Sequence, residues 1–204
     1  MEQTYWRKQR ETALFPDIEW NKPEQRSRAG KLLIIGGNKL GFVSVATAYD
    51  EALSLGVGQV RALLPDTLKK GIPVTILDTL YVPSNPSGGM SRDGQPQIDT
   101  ALDWADHVLL IGDAGRNSET AMIYEHILSS GRPLTITRDA IDLLRSAAPI
   151  VVERPQTTLV MSFAQLQKIF QVVYYPKILS FSMQLTMLVD ILHKFTMTYP
   201  LTIV

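Results

Sequence analysis

The sequence contains no cysteine. This absence excludes thiol catalysis, a disulfide framework and any zinc site that uses thiolate ligands. A chain without cysteine suits a reducing compartment, and its first residues, MEQTYWRKQRETALFPDIEW, lack the apolar core of a signal peptide. Together these features predict a cytoplasmic protein.

An excess of either charge is also missing, because the 204 residues include 20 Lys and Arg against 20 Asp and Glu. A nucleic-acid-binding protein normally has a basic excess, and a membrane-surface protein has a basic amphipathic helix. No apolar run approaches the roughly 18–20 residues that are needed to span a bilayer. The composition therefore predicts partners that are neither nucleic acids nor membranes.

From Lys31 onward, short apolar runs alternate with helical patterns. The apolar runs predict strands at 32–35, 59–65, 75–82, 107–112, 133–137, 148–153, 157–161 and 200–204. Apolar residues at helical spacing predict helices at 43–56, 98–106, 118–130, 139–145, 162–170 and 183–197. Continuous apolar strands that alternate with helices are typical of a parallel sheet with helices on both faces, so the predicted fold class is α/β.

The domain organisation follows from the same patterns. Residues 1–30 are polar and contain Pro16 and Pro23, which predicts an N-terminal arm, and residues 31–204 form a single predicted α/β domain. Residues 83–97 contain three prolines and three glycines, which predicts a long loop that serves as a lid or a partner-facing arm.

The turn after the first predicted strand, LLIIGGNKLG at residues 32–41, is the first candidate site. A dinucleotide fingerprint requires G-x-G-x-x-G, and Asn38 occupies the position of the second glycine. A P-loop requires lysine and a hydroxyl residue, where this sequence has the apolar pair 42–43. Two interpretations remain: Gly36 and Gly37 let a ligand approach the backbone, or they form a strand-to-helix turn without a ligand.

The second candidate is the turn after the predicted strand 107–112, where the sequence continues Gly112, Asp113, Ala114, Gly115, Arg116. Free N–H groups at the start of the next helix would attract an anion, and Arg116 would add positive charge. The alternative is a capped helix that has Asp113 as a turn residue. We favour a functional role, because two glycines exceed what the turn needs.

A third candidate is Asp139, which follows the predicted strand 133–137. Its carboxylate could hold a ribose hydroxyl or a metal-bound water, or it could cap the short helix that follows, and we favour the cap. Ser162 and Gln165 form a capping-box pattern, which indicates a structural role.

No catalytic residue can be identified from residue spacing. His107, His126 and His193 have no metal-ligand spacing, so we expect packing or surface roles for them and no metal site. A Ser/His/Asp arrangement and a paired-carboxylate motif are both absent from the sequence pattern.

Several segments resemble the ribokinase-like fold and, within it, the ADP- or ATP-dependent NAD(P)H-hydrate dehydratases, which repair hydrated nicotinamide cofactors. The resemblance extends from about Ala29 to Val204. The segments that carry it are GKLLIIGG (30–37), EALSLGVG (51–58), ADHVLLIGDAGRNSET (105–120), TITRDAI (135–141) and VMSFAQ (160–165).

The resemblance implies a three-layer sandwich in which a mostly parallel sheet lies between helices. It also implies a lyase that uses ADP or ATP with Mg²⁺ to phosphorylate the hydroxyl of hydrated NAD(P)H, after which phosphate elimination restores the cofactor. A homo-oligomer is typical of such proteins. Helix 183–197 could serve that contact or the core, and we favour the core. The residues implied to border substrate and nucleotide are Gly36, Gly37, Asn38, Gly112, Gly115 and Asp139.

The sequence also departs from the family pattern. Thr137 replaces the first aspartate of a D-A-D motif, and Ser162 and Gln165 replace the histidine and glutamate of H-P-G-E. The family's last strand leads to a Gly-x-Gly-Asp turn with the catalytic aspartate, which is not found before Val204. We expect either an enzyme whose C-terminal part is not included here, or a catalytically silent binding or assembly module. An unrelated doubly wound nucleotide-binding protein is the third alternative.

Overall fold

The computed structural model describes residues 5–6, 11, 16–71, 76 and 78–204. At its centre is a sheet of seven strands that are all parallel, in the order β3-β2-β1-β4-β5-β6-β7. The strands are β1 (Lys31–Gly36), β2 (Gln59–Pro65), β3 (Thr79–Val82), β4 (His107–Gly112), β5 (Leu134–Thr137), β6 (Thr157–Val160) and β7 (Leu201–Ile203). The predicted parallel α/β sheet is confirmed.

The described residues form eight α-helices: α1 (Asp17–Trp20), α2 (Val43–Ser54), α3 (Gln95–Trp104), α4 (Ser118–Leu128), α5 (Asp139–Leu143), α6 (Ala148–Glu153), α7 (Phe163–Val172) and α8 (Leu185–Thr198). All but α1 and α6 lie close to helices predicted from the sequence. None of these helices could cross a bilayer, since each is too short or too polar.

One strand prediction is wrong, because residues 148–153 form helix α6. Pro149 occupies the first turn, where a helix tolerates proline. Ala148, Val151 and Val152 are buried at helical spacing. The spacing of the apolar residues therefore indicates the correct element, whereas the β-branched composition of the segment suggested a strand.

Two other predictions fall partly outside the described residues. The strand predicted at 75–82 is observed as β3, whereas residues 75 and 77 lie outside the described part of the chain. The N-terminal arm stays a prediction, since residues 1–4, 7–10 and 12–15 lie outside that part too.

The core has two parts, one on each face of the sheet. Leu33 and Ile35 point into a large cluster with apolar residues of α3 to α8. Ile34 points to the other face, where α2 covers it with Val45 and Tyr49. Alternate strand residues thus serve opposite layers, which explains why β1 is apolar throughout.

The strand order reverses at β1, which pairs with β2 on one side and with β4 on the other. The chain leaves β1 toward one face of the sheet and leaves β4 toward the other. In parallel sheets, ligands bind in the crevice beyond the carboxyl ends of the strands at such a reversal. The turns after Gly36 and Gly112 therefore form the centre of the candidate site.

Candidate functional site

The exit turns of β1 and β4 are in direct backbone contact. The N–H of Gly37 donates to the carbonyl oxygen of Gly112 at 2.9 Å. A Cβ atom on Gly36 would lie 2.4 Å from the same oxygen, so only glycine fits there. Gly36 and Gly37 thus allow the backbones after β1 and β4 to come into contact.

The glycine turn does not form a phosphate cradle. The N–H groups of Asn38 and Gly41 donate to each other's carbonyl oxygens at 3.0 Å, and the N–H of Lys39 donates to Gly88 at 2.9 Å. The N–H of Leu40 donates to Asn38 Oδ1 at 2.7 Å. Because these donors are already used, an anion would find none of them free.

Asn38 links the β1 turn to the β4 turn with its side chain. Its Nδ2 donates to the carbonyl oxygen of Asp113, and the residue is buried. Gly115 lies against this amide, since a Cβ on Gly115 would be 3.1 Å from Asn38 Nδ2. Gly115 also has a φ of +75°, a conformation that favours glycine.

Asp113, interpreted from the sequence as a turn residue, is the centre of the hydrogen-bond network. Its Oδ2 accepts from the N–H of Ser44 at 2.8 Å, in the first turn of α2, where negative charge is favourable. Its Oδ1 lies 3.6 Å from Nη2 of Arg138. The sequence signal that could have identified Asp113 is its place directly after a central strand that ends in glycine.

Asp139, which follows β5, connects the exit of that strand to the turns after β1 and β4. Its Oδ1 accepts from the N–H of Asp113 at 2.9 Å, and it makes no side-chain cap for α5. The alternative of a helix cap is therefore not what the structure has. Asp113 and Arg138 both have positive φ, 53° and 57°, so the network holds two strained non-glycine residues, as is common at functional sites.

Beside this network lies a cavity of about 470 Å³ between the start of α4, α5 and α7. Small-molecule sites commonly have volumes of roughly 300–1,000 Å³. Three cations line the cavity, with Lys168 paired to Asp142 at 3.4 Å. Within the described ranges, the guanidinium groups of Arg116 and Arg145 have no hydrogen bond or ion pair, so their positive charges are available to a ligand.

The start of α4 differs from the sequence expectation of free N–H groups. Asn117 caps the helix, because its Oδ1 accepts from the N–H of Glu119 at 2.8 Å and of Thr120 at 3.3 Å. The positive character of the cavity therefore comes mainly from the arginine side chains.

The loop predicted as a lid or partner-facing arm is packed against the β1 turn and the start of α4. Asn85 and Met90 are buried, and Asn85 Nδ2 donates to the Met90 carbonyl at 2.9 Å and to Asn117 Oδ1 at 3.3 Å. The loop also contacts the glycine turn through Lys39 and Gly88. Residues 95–97 belong to α3. The expected lid is thus fixed by hydrogen bonds to two elements of the site.

Two buried hydroxyls next to the site have no hydrogen-bond partner within the described ranges, namely Thr120 Oγ1 and Tyr124 OH. Both lie on the inner face of α4. Burial and the nearby carboxylates of Asp139 and Asp113 hold the pKa of Tyr124 above its ordinary value, so its hydroxyl stays protonated. Sequence reasoning missed this pair, because their spacing of four also fits ordinary core positions.

The remaining candidates have structural roles. The capping box of Ser162 and Gln165 is present, and Gln165 Nε2 also donates to the carbonyl of Arg138 at 2.8 Å. His107 Nε2 lies 2.9 Å from Thr135 Oγ1, and His126 Nε2 lies 2.6 Å from Asp99. None of the three histidines lines the cavity of about 470 Å³ at the start of α4.

The comparisons with known proteins concern the fold. No protein-family model matches the chain, and no curated protein matches it. A crystal structure of a ribokinase-like superfamily protein from Enterococcus faecalis V583 is similar, with a TM-score of 0.67 and 16% identity over 90% of this chain and 60% of that one. A hypothetical protein from Streptococcus mutans is similar with a TM-score of 0.64 and 14% identity, over 90% and 61%.

The chain thus spans about three fifths of the length of these two solved structures. At such identities the likeness shows the architecture alone. The seven-stranded parallel sheet with helices on both faces is a ribokinase-like α/β fold.

Proposed function

We propose that this chain binds a phosphate-bearing nucleotide at the carboxyl edge of its sheet and takes part in the repair of hydrated NAD(P)H. One observation carries the proposal: the exit turns of β1, β4 and β5 are joined through Asn38, Asp113 and Asp139. Beside them lies a cavity whose two arginine side chains have no partner among the described residues. This place is where parallel α/β folds bind nucleotides.

The cavity residues suit ADP or ATP. Arg116 and Arg145 would hold the phosphates, because a guanidinium binds phosphate oxygens through two parallel hydrogen bonds. No group of three or more His, Cys, Asp or Glu among the described residues could hold a metal, so Mg²⁺ would enter with the phosphates. Asp139 Oδ2 has no hydrogen bond within the described ranges and is a suitable oxygen ligand for it.

In the dehydratases, the nucleotide supplies a phosphoryl group to the hydroxyl of the hydrated ring. The contribution of this chain would be positioning, since Asp113 and Asp139 keep the three turns together and the arginines orient the phosphates. The volume of about 470 Å³ suits one nucleotide-sized group, so the hydrated nicotinamide would occupy the crevice next to it.

A second candidate function is binding without turnover. The positions of the family's histidine and glutamate hold Ser162 and Gln165, which are used in a capping box and in supporting Arg138. Asp113 is likewise used at the start of α2. Because these side chains already make structural hydrogen bonds, they favour a module that binds a ligand in the pocket and does not catalyse a reaction.

Binding is tested by thermal unfolding with ADP or ATP, each with Mg²⁺, and with NADH hydrate. A ligand at 100 times its dissociation constant should add about 2.7 kcal/mol to the free energy of unfolding. Replacing both Arg116 and Arg145 by glutamine should remove most of this gain, while Arg92→Gln, at a different cavity, should leave it intact. The proposal fails if wild-type protein is stabilised by none of these ligands.

Turnover separates the two candidate functions. Recovery of NADH absorbance from NADH hydrate in the presence of ADP or ATP would support the dehydratase. Stabilisation by a nucleotide without any recovery of NADH would support the silent module.

A further inference from the structure

The strongest unexplained feature outside the site is a second cavity, which lies between α3 and α4 and has a volume of about 280 Å³. The turn before α3 and its first residue contribute Arg92 and Gln95, and α4 contributes Met122, Glu125 and His126. None of the residues that line it also lines the cavity at the start of α4. We call it the α3–α4 hollow.

The two sides of the hollow are fixed to each other by hydrogen bonds. The N–H of Arg92 donates to Oε1 of Glu119 at 2.8 Å, which joins the turn before α3 to the first turn of α4. Further along, Asp99 Oδ1 of α3 lies 2.6 Å from Nε2 of His126 on α4. Because both sides are held in place before a ligand arrives, binding requires little ordering of the site.

Two opposite charges line the hollow without neutralising each other. Within the described residues, the guanidinium group of Arg92 has no hydrogen bond, and no ion pair joins it to Glu125. Glu125 Oε1 accepts from Ser146 Oγ at 3.3 Å, which leaves its Oε2 without a partner in that part of the chain. Asp99 and His126 are engaged with each other. The lining therefore offers one positive and one negative group to a ligand.

The remaining lining of the hollow is mostly apolar. Ile98 and Ile123 are buried, whereas Met122 is 48% exposed. An apolar group of a ligand would cover the flexible thioether of Met122 and remove part of its surface from water. The volume of the hollow lies just below the roughly 300–1,000 Å³ of typical sites for drug-sized ligands, so it suits a smaller molecule.

These features favour a small ligand that carries both charges and an apolar side chain. Glu125 would repel a simple anion and Arg92 would repel a simple cation, whereas a zwitterion has a partner for each. We propose that the α3–α4 hollow binds a free apolar α-amino acid. The ligand carboxylate accepts from the Arg92 guanidinium, the ligand ammonium group donates to Glu125 Oε2, and the side chain packs on Met122. This proposal does not depend on the proposed function.

The test is a titration of the whole chain with L-leucine, in which the amide NMR signals of Met122 and Ile123 report binding at the hollow. Two derivatives each lack one charge: L-leucinamide has no carboxylate, and N-acetyl-L-leucine has no ammonium group. We expect L-leucine to bind at least about tenfold more tightly than either derivative, because each derivative loses one charge-assisted hydrogen bond.

Variants assign each charge of the ligand to its partner. Arg92→Gln should weaken the binding of L-leucine about tenfold but should not weaken L-leucinamide, which has no carboxylate to lose. Glu125→Gln should weaken L-leucine by a similar factor but should not weaken N-acetyl-L-leucine. Arg145→Gln is the matched control, since Arg145 also has no partner within the described ranges but lines the other cavity. It should leave all three affinities unchanged, and the amide spectra show that each variant keeps the fold.

Three results would overturn the proposal. The first is that L-leucine up to about 10 mM shifts no amide signal at the hollow, because even a millimolar dissociation constant is visible at that concentration. The second is that the wild type binds L-leucine no more tightly than its two derivatives. The third is that Arg92→Gln weakens L-leucine and L-leucinamide equally, because the guanidinium would then not hold the carboxylate.

Discussion

At the scale of single residues, the glycines of the site are required by neighbouring atoms. Gly36 pairs with Gly112 where β1 and β4 run side by side. At either position a Cβ atom would collide with a neighbouring oxygen atom. A Cβ on Gly112 would lie 2.0 Å from Asp139 Oδ1. The close approach of the turns therefore depends on residues that have no side chain.

Gly36→Ala should lower the free energy of unfolding by roughly 1–3 kcal/mol, because its Cβ would meet the Gly112 carbonyl at 2.4 Å and that backbone cannot easily move. Urea denaturation measures the change. Gly41→Ala is the matched control, since neither glycine has a positive φ and nothing lies within 4 Å of a Cβ there. Equal losses in both variants would contradict the steric explanation.

His107 should make the stability of the protein depend on pH. Burial lowers the pKa of His107, so the unfolded chain takes up the proton first, at about the ordinary value of 6.5. The free energy of unfolding should thus be highest above pH 6.5 and fall as the pH drops through that value.

His107→Gln keeps a polar group near Thr135 and removes this titration. Its free energy of unfolding should fall less steeply between about pH 7 and 5 than that of the wild type. Urea denaturation at several pH values provides the comparison. Parallel pH curves for the two proteins would exclude His107 as a source of the dependence.

At the scale of elements, the start of α4 connects the cavity to the loop above it. Asn117 caps the helix with its Oδ1, and its Nδ2 donates to Ser87 Oγ at 2.9 Å. Glu119 accepts from Ser91 Oγ at 3.0 Å and from the N–H of Arg92 at 2.8 Å. One helix terminus thus lines the cavity and also holds the loop 83–94 in place.

Asn117→Ala should cost about 0.5–2 kcal/mol of stability, because two N–H groups lose their acceptor. Hydrogen exchange should show faster opening at Glu119 and Thr120 than in the wild type. Asn117→Asp keeps a capping oxygen and should retain protection at both amides. If the alanine variant exchanges like the wild type, the cap does not stabilise this helix.

Most elements could be predicted from the sequence because their signals are local. The apolar run of β1 and the helical spacing in α8 give the type of each element. The buried face of α8 is less predictable, because Phe195 is buried but Leu185, on the same predicted apolar face, is exposed. In α6, the β-branched residues Val151 and Val152 favour a strand, and this composition outweighed the helical spacing of the buried residues in the prediction. A six-residue segment offers too few repeats to decide between the two.

At the scale of the whole molecule, the order of the strands and the role of Asp113 could not be predicted. Asp113 accepts a hydrogen bond from the N–H of Ser44, 69 positions away in the chain. A pattern of neighbouring residues in the sequence does not predict a contact over this separation. Gly37, Gly115 and Asp139 were identified as candidates individually, but only the pairing of β1 with β4 and of β4 with β5 brings them together.

The strand order also has a consequence for synthesis. Asn38 and Asp113, which join the two halves of the site, are 75 positions apart. When β1, β2 and β3 have left the ribosome, β4 has not yet been released. The edge of β1 that pairs with β4 is therefore still without a neighbouring strand. Nascent chains at this stage expose unpaired apolar strands, which makes them clients for chaperones. The pocket comes into existence only when the second half of the chain has emerged.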